Sequence, residues 1–234
     1  MRLLVLLLLL APPEDLTPRE GAGWAGFPQG TWVRLKQTTL KPGRMLTPTI
    51  SRITLAKVEP KTLSFESRTE NALDVAAEVQ KWVVPTTGDA WPGETEKVEG
   101  RGEEAVKAAG KELPCDKVES TMTGPNGKRV VTKWIARDPK VLAKRVTVSY
   151  GADGKEMSRD TLLLLSLAEE REVAGKKIRC VKYEHRLTEP GYEWQGTAYV
   201  SREVPTSTVW SEDEVRQNGE VVLTRRIEIL EFGK

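Results

Sequence analysis

The chain has 234 residues, of which 38% are hydrophobic and 30% are charged, so it is long enough to bury a core as one domain. Lysine and arginine exceed aspartate and glutamate by only two, so no strong positive field favours binding to nucleic acid or to an anionic membrane surface. One histidine and two cysteines exclude most metal sites and most histidine-dependent catalysis, and we expect no cofactor, no metal and no catalytic residue.

The N-terminus has the pattern of an export signal. Arg2 supplies a positive charge, Leu3 to Ala11 form an apolar run, and Pro12-Pro13 follow it. The run is too short to span a bilayer, which takes roughly 20 apolar residues, and no later segment reaches that length. We therefore expect residues 1–25 to be a signal peptide with a flexible segment, and the protein to work in the periplasm or outside the cell. A wrongly assigned start or a buried apolar strand is the alternative.

The remainder of the chain alternates apolar and polar residues in short segments separated by turn residues, which is typical of strands. Asx-Gly pairs such as Asp153-Gly154 and Asn218-Gly219 supply the positive φ that tight hairpins require. The predicted strands are Trp32–Gln37, Ile50–Val58, Thr62–Ser67, Val79–Val84, Lys117–Met122, Val130–Ile135, Lys144–Tyr150, Cys180–Leu187, Thr197–Ser201, Thr208–Val215 and Val221–Glu231.

Helical signals are weak. Ala72–Val79 contains helix formers but is flanked by strand patterns, and the leucine-rich Asp160–Ser166 fits either a buried strand or a short helix. The fold class that we predict is mainly β. Residues 26–234 should form one domain, a single curved antiparallel sheet (a half-barrel or open barrel) of tandem β-hairpins with one or two short helices.

An internal repeat becomes visible when the chain is compared with itself at an offset of 65 residues. Residues 104–125 and 169–190 share nine identities in 22 positions without a gap. The shared pattern is a polar strand, an Ala-Gly-Lys turn, a Cys-x-Lys-x-Glu strand and a turn marked by proline. We interpret residues 103–160 and 168–225 as one supersecondary unit used twice.

The two cysteines, Cys115 and Cys180, occupy equivalent positions in these units. Two cysteines in an exported chain favour a disulfide between them, and two buried thiols in equivalent core pockets are the alternative. A catalytic cysteine is disfavoured, because His185 lies five residues after Cys180 and would point to the opposite face of a strand. His185 itself is expected on the solvated face, and the many carboxylate pairs are expected to be solvated as well.

The chain has seven tryptophans, which is many for its size. Such rings most often cover the core of a curved sheet, but they can also line an apolar ligand groove. The residues that we single out as candidate ligand-lining residues are Trp32, Trp82, Trp134, Trp194 and Trp210.

The leucine-rich leader, the early Gly30-Thr31-Trp32-Val33 strand, the hairpins and the Ala-Gly-Lys…Cys-x-Lys-x-Glu strand resemble exported bacterial proteins of the lipoprotein-carrier (Lol-like) half-barrel type. The resemblance covers residues 30–234 and concerns architecture, so it assigns no functional residue. It implies a curved sheet that holds acyl chains in its concavity around a helical plug. Only Ala72–Val79 and Thr161–Glu170 could supply that plug.

Three functions fit these patterns. The first is an exported, non-enzymatic protein that binds an apolar or lipid-like ligand on its concave face. The second is a structural or interaction module of the cell envelope, whose exposed sheet edges pair with an envelope protein. The third, a carboxylate-dependent hydrolase, has no pair of acids that we would name. No nucleic acid and no membrane span are expected for any of them.

Overall fold

The computed structural model describes residues 23–70, 79–86, 90, 93–125 and 127–234. Within these residues, fourteen strands form one antiparallel sheet. They are β1 (Trp32–Lys41), β2 (Arg44–Met45), β3 (Thr49–Val58), β4 (Thr62–Thr69), β5 (Gln80–Pro85), β6 (Thr95–Ala108), β7 (Lys111–Gly124), β8 (Gly127–Arg137), β9 (Lys140–Tyr150), β10 (Glu156–Val173), β11 (Lys176–Glu189), β12 (Tyr192–Val200), β13 (Thr208–Gln217) and β14 (Glu220–Gly233).

The strand order across the sheet is β5-β4-β3-β1-β14-β13-β12-β11-β10-β9-β8-β7-β6, with β2 beside β1. From β6 to β14 every strand therefore pairs with its neighbour in sequence, as tandem hairpins do. This confirms the predicted single antiparallel sheet. Each predicted strand segment lies within an observed strand, apart from single end residues such as Val79 and Ser201.

The sheet is curved and open. If the thirteen strands from β5 to β6 formed a flat sheet, with neighbouring strands about 4.8 Å apart, the two edge strands would lie roughly 58 Å from each other. Only nine residues lie between Pro85 and Thr95, and a chain of that length reaches about 35 Å, so the sheet must bend. The backbone N–H of Ala109, at the tip of the β6–β7 hairpin, also donates to the carbonyl of Leu164 on β10 at 3.0 Å. Among the described residues β5 and β6 do not pair with each other, so the barrel is not closed.

Thr161–Glu170 is not a helix, which corrects one of our two helix candidates. The segment lies inside β10, where Leu162 pairs with both Arg145 of β9 and His185 of β11. Its register against β11 shifts twice between Leu164 and Glu169, so the strand carries bulges rather than a helical turn. Residues 72–78 of the other candidate, Ala72–Val79, lie outside the described residues. The described residues contain no α-helix.

In the described part of the chain, two clusters of buried side chains form the core. The first cluster contains Trp24, Val33, Leu55, Leu63, Phe65, Val84, Val173, Ile178, Cys180, Tyr199, Val204, Val209 and Ile229. The second cluster contains Val106, Ala108, Leu113, Cys115, Trp134, Ala136, Val141, Ala143, Leu164, Val181, Tyr183 and Val200. Cys180 and Val181 are adjacent on β11 and point to opposite faces, so this strand is buried on both sides where the clusters meet.

Two hairpin turns and the strands that follow them match at an offset of 65 residues. Strands β7 and β11 each have 14 residues and begin 65 positions apart, at Lys111 and Lys176. The turns before them have matching backbone angles, with φ of 49° and 75° at Ala109-Gly110 and 49° and 77° at Ala174-Gly175. Positive φ at both central residues is the type I′ hairpin geometry.

A side-chain contact also recurs at the same offset. The Lys117 ammonium lies 5.3 Å from the ring centre of Trp134, and the Lys182 ammonium lies 5.5 Å from that of Tyr199. The interpretation of one unit used twice stays a prediction.

Candidate functional site

One residue from each of six neighbouring strands lies in a single line across the sheet. Each pair in the line is directly opposite in the register, so all six side-chain positions share a face. The line is Arg145 (β9), Leu162 (β10), His185 (β11), Gly196 (β12), Asp213 (β13) and Arg225 (β14).

We call the face that carries this line the inner face. On β13 it presents Ser211, Asp213 and Val215, all of which are buried, whereas Glu214 on the opposite, outer face is exposed. Asp160 precedes Leu162 by two residues and therefore also lies on the inner face.

The charged side chains of this line form the His185 cluster together with Asp160; the cluster consists of Arg145, Asp160, His185, Asp213 and Arg225. The imidazole lies between two carboxylates, with Nε2 3.0 Å from Asp160 Oδ1 and Nδ1 3.5 Å from Asp213 Oδ1. Each carboxylate also has a guanidinium partner. Arg145 Nη2 donates to Asp160 Oδ2 at 2.8 Å, and Arg225 Nη2 donates to Asp213 Oδ2 at 3.4 Å.

Gly196 makes the contact between His185 and Asp213 possible. These two residues lie on β11 and β13, and Gly196 of β12 stands between them in the register. A Cβ atom at Gly196 would lie 2.5 Å from Asp213 Oδ1 and 2.1 Å from the carbonyl oxygen of Glu212. The missing side chain therefore lets the carboxylate reach across a whole strand.

The cluster is ionised at neutral pH. Hydrogen bonds to Asp160 and Asp213 raise the pKa of His185 to about 9. Burial alone would raise the pKa of both aspartates, but the hydrogen bond from His185 and the charge of the neighbouring arginines outweigh it and lower them. With three cations and two anions, the His185 cluster carries a net charge of +1.

This arrangement does not fit a general base. A histidine that keeps its proton above neutral pH and faces a carboxylate with both ring nitrogens has no free lone pair to accept another proton. Its geometry instead holds β10, β11 and β13 together and places fixed charge on the inner face.

Apolar side chains surround the cluster on the same face. Leu187 pairs directly with Trp194, and Val215 pairs directly with Leu223. Leu162, Leu187, Trp194 and Leu223 are neither fully buried nor fully exposed. The Arg225 guanidinium lies 5.0 Å from the ring centre of Trp194, so the charged cluster and the apolar side chains of the inner face are in contact. The inner face is therefore amphipathic.

The five candidate tryptophans do not converge on one groove. Trp194 alone lies beside the His185 cluster. Trp210 points to the outer face, where it meets Tyr199 edge-on with ring centres 5.5 Å apart. Trp134 is buried in the second cluster.

The other two candidates lie on the edge strand β5 and on β1. Trp82 stacks on Phe65 with ring centres 5.5 Å apart, on the edge strand β5. The Arg52 guanidinium lies 4.1 Å from the ring centre of Trp32, and the Trp32 indole N–H donates to the carbonyl of Lys234. Four of the five rings therefore serve packing and cation–π contacts away from the His185 cluster.

Cys115 and Cys180 are both free and buried in this structure, one in each core cluster. Each thiol donates to a carbonyl two residues earlier, at 3.2 Å to Leu113 and at 3.5 Å to Ile178. The predicted disulfide is therefore not formed here, and the structure contains the alternative of two equivalent buried thiols. Burial raises the pKa of Cys180 to about 11 and also raises that of Cys115.

The expectation for His185 was wrong. Its side chain is 27% exposed and held between two aspartates instead of lying on a solvated face. A signal was present in the sequence, because a glycine such as Gly196 in a strand often marks a place where another group comes close. The partners of His185 depend on strand register, which sequence reasoning did not establish.

A separate cavity of about 360 Å³ lies where β10 shifts register against β11. Its lining combines Leu167, Val181 and Val200 with the charged residues Glu169, Glu170, Arg179, Arg202 and Glu203. Within the described ranges, no group of three histidine, cysteine or acidic side chains could hold a metal ion. The same part of the chain contains no helix long and apolar enough to cross a membrane.

Comparisons with known proteins find distant structural matches only. No protein-family model and no curated protein matches the chain. A Bacteroides fragilis structure, named as an exported protein with a YmcC-like fold, is 12% identical and has a TM-score of 0.38, with 94% of this chain and 99% of that one covered.

Two further structures match at a similar level. A Vibrio parahaemolyticus domain, named for outer-membrane lipoprotein sorting, is 10% identical with a TM-score of 0.39 and coverage of 92% and 86%. A LolA superfamily protein from Nitrosomonas europaea is 8% identical with a TM-score of 0.36 and coverage of 90% and 89%. The matched structures include Lol-like proteins, the type that the sequence resembles, and no residue or activity is carried over from them.

Proposed function

We propose that this protein is an exported, non-enzymatic β protein that binds an amphipathic, lipid-like ligand on the inner face of its open sheet. One observation carries the proposal. Partly exposed apolar side chains and an ionised cluster occupy the same face, beside each other and within reach of one ligand. Ligand sites of this kind combine an apolar lining with a few fixed polar groups.

The export part of the proposal rests on the N-terminal sequence. Residues 1–22, which include the Leu3–Ala11 run, lie outside the described residues. A positive residue followed by an apolar run and a helix breaker is the pattern of a secretory signal. Expression of the full chain in a bacterial host, followed by fractionation and N-terminal sequencing, tests it. Recovery of the uncleaved chain in the cytoplasm would contradict export.

The non-enzymatic part rests on the chemistry of the nucleophile and base candidates. His185 holds its proton between two aspartates, and both thiols are buried with raised pKa values. A nucleophilic thiol needs the opposite, a lowered pKa and an accessible sulfur.

Ligand binding is tested directly by calorimetric titration of the purified protein with dodecanoate and with 1-dodecanol, both kept below their aggregation concentrations. We expect saturable binding, and we expect Leu187→Ser to weaken it because Leu187 lies on the inner face beside Trp194. Val98→Ser is the matched control, since Val98 is 49% exposed on the edge strand β6. No heat of binding with either amphiphile would overturn the proposal.

The edge strand β6 is the observation that favours an interaction module instead. It has 14 residues, and its first eleven are exposed along a free sheet edge. Its sequence carries Glu96, Lys97, Glu99, Arg101 and Glu103, and charges on an edge oppose pairing with another strand. We therefore favour ligand binding over strand pairing.

A further inference from the structure

We infer that the ligand of the inner face is an amphipathic anion, and that the Arg225 guanidinium binds its carboxylate or phosphate while the apolar tail packs along Trp194 and Leu223. This inference rests on the proposed function and names its ligand class. It starts from the charge balance of the His185 cluster, in which the cations outnumber the anions by one. A ligand carrying one negative charge would neutralise the cluster.

Arg225 has unused hydrogen-bonding capacity beside the apolar part of the inner face. A guanidinium has five N–H donors, and the one hydrogen bond of Arg225 within the described residues is the 3.4 Å contact with Asp213. The corresponding bond of Arg145 to Asp160 is shorter, at 2.8 Å. The Arg225 side chain is 32% exposed and its Nε is buried without a partner among the described residues, so a ligand would bind at the terminal Nη atoms.

Asp213 is the carboxylate with which a ligand would compete for Arg225, and it also pairs with His185. Asp213 accepts from both His185 and Arg225, and its side chain is only 8% exposed. Because His185 also pairs with Asp213, Arg225 is not the only cation that balances the charge of this carboxylate. A guanidinium can bind one carboxylate through two parallel hydrogen bonds. A guanidinium that does not already form such a bidentate pair can form it with the carboxylate of a ligand.

The apolar part of the ligand has a matching surface next to Arg225. Trp194 lies against the guanidinium, and Leu223 is two residues from Arg225 on the same strand and face. Ile227 flanks Arg225 on its other side along β14. An acyl chain whose headgroup sits at Arg225 would therefore cover partly exposed apolar surface, which favours binding by roughly 25 cal/mol per Å² of apolar area buried.

The experiment compares two ligands that differ only in the headgroup. Dodecanoate and 1-dodecanol are titrated into the wild-type protein, Arg225→Gln, Arg225→Lys and the control Arg226→Gln. Arg226 is the adjacent residue but points to the outer face, where it pairs with Glu212. Circular dichroism and thermal unfolding establish that each variant is folded.

We expect wild type to bind dodecanoate more tightly than dodecanol. Arg225→Gln should weaken the binding of dodecanoate roughly tenfold, because one charge-assisted hydrogen bond is lost. It should leave the affinity for dodecanol unchanged. Arg226→Gln should change neither. If Arg225→Gln fails to fold, Arg225→Lys replaces it, with an intermediate loss because lysine keeps the charge but not the planar fork.

Equal binding of both amphiphiles with no effect of Arg225 variants would overturn this inference and leave the proposed function intact. Absence of binding of either amphiphile to wild type would overturn both. Binding of dodecanoate that weakens equally in Arg225→Gln and Arg226→Gln would show an effect of net charge alone and would also overturn it.

Discussion

His185 Nδ1 lies 3.5 Å from Asp213 Oδ1 although a whole strand, β12, runs between the two residues. Neighbouring strands are about 4.8 Å apart, so side chains two strands apart normally meet the side chain of the strand between them. Gly196 occupies that place and has no side chain to interpose. The His185 cluster therefore depends on a residue that has no side chain.

Gly196→Ala should destabilise the protein by about 1–3 kcal/mol, because the new methyl group would overlap the Glu212 carbonyl and the Asp213 carboxylate. Urea unfolding monitored by tryptophan fluorescence measures the loss. Gly102→Ala is the control, since Gly102 lies on β6 and nothing lies within 4 Å of a Cβ placed there. Equal stability of the two variants would refute the account of Gly196.

Stability should fall at alkaline pH. The folded-state pKa of His185 is about 9, above its ordinary value of 6.5, so its bound proton stabilises the fold fully below pH 6.5. That contribution is lost as the pH rises through 9, by at most about 1.4 kcal/mol per pH unit. Urea unfolding at several pH values measures the slope.

The chain has one histidine, so its imidazole resonances in an NMR titration belong to His185 without assignment. His185→Gln should remove the titration and flatten the pH dependence of stability between about 6.5 and 9. A midpoint near the ordinary value would show that the two aspartates do not hold the proton.

Both thiols should be unreactive in the folded protein. Cys115 and Cys180 are buried, and the raised pKa of Cys180, about 11 against an ordinary 9, lowers its thiolate fraction roughly a hundredfold at neutral pH. Iodoacetamide should add to neither cysteine before unfolding and to both after unfolding without a reductant. Mass spectrometry counts the adducts. Alkylation that requires prior reduction would instead establish the Cys115–Cys180 disulfide.

Tyr183→Phe should cost about 1–2 kcal/mol. The Tyr183 hydroxyl is fully buried and donates to the Leu142 carbonyl at 3.0 Å, and its removal leaves that carbonyl without this donor. Tyr192→Phe is the matched control, because Tyr192 is 43% exposed near a hairpin tip. Thermal unfolding of both variants tests the difference, and a Tyr183→Phe protein as stable as wild type would contradict it.

Much of the fold could be predicted because hairpins are local. Asn218 and Gly219 have φ of 51° and 87°, the geometry that an Asx-Gly pair between two alternating segments predicts. Thr161–Glu170 was harder, because four consecutive leucines have neither helical nor strand periodicity and only their neighbours β9 and β11 decide the outcome. Of the five candidate tryptophans, Trp194 is the one beside the His185 cluster, and the ligand-lining role of all five stays a prediction.

The amino-acid sequence by itself determined the strands, the tight turns and the tandem antiparallel order, because side-chain alternation and positive-φ turn residues act over a few positions. Only the tertiary structure decided that Asp160, His185 and Asp213 meet, and that Cys115 and Cys180 enter separate clusters. The physical reason is that a side chain's face is set by its own strand. Its neighbours are set by register, bulges and curvature, which arise only when the distant strands of the whole sheet pair.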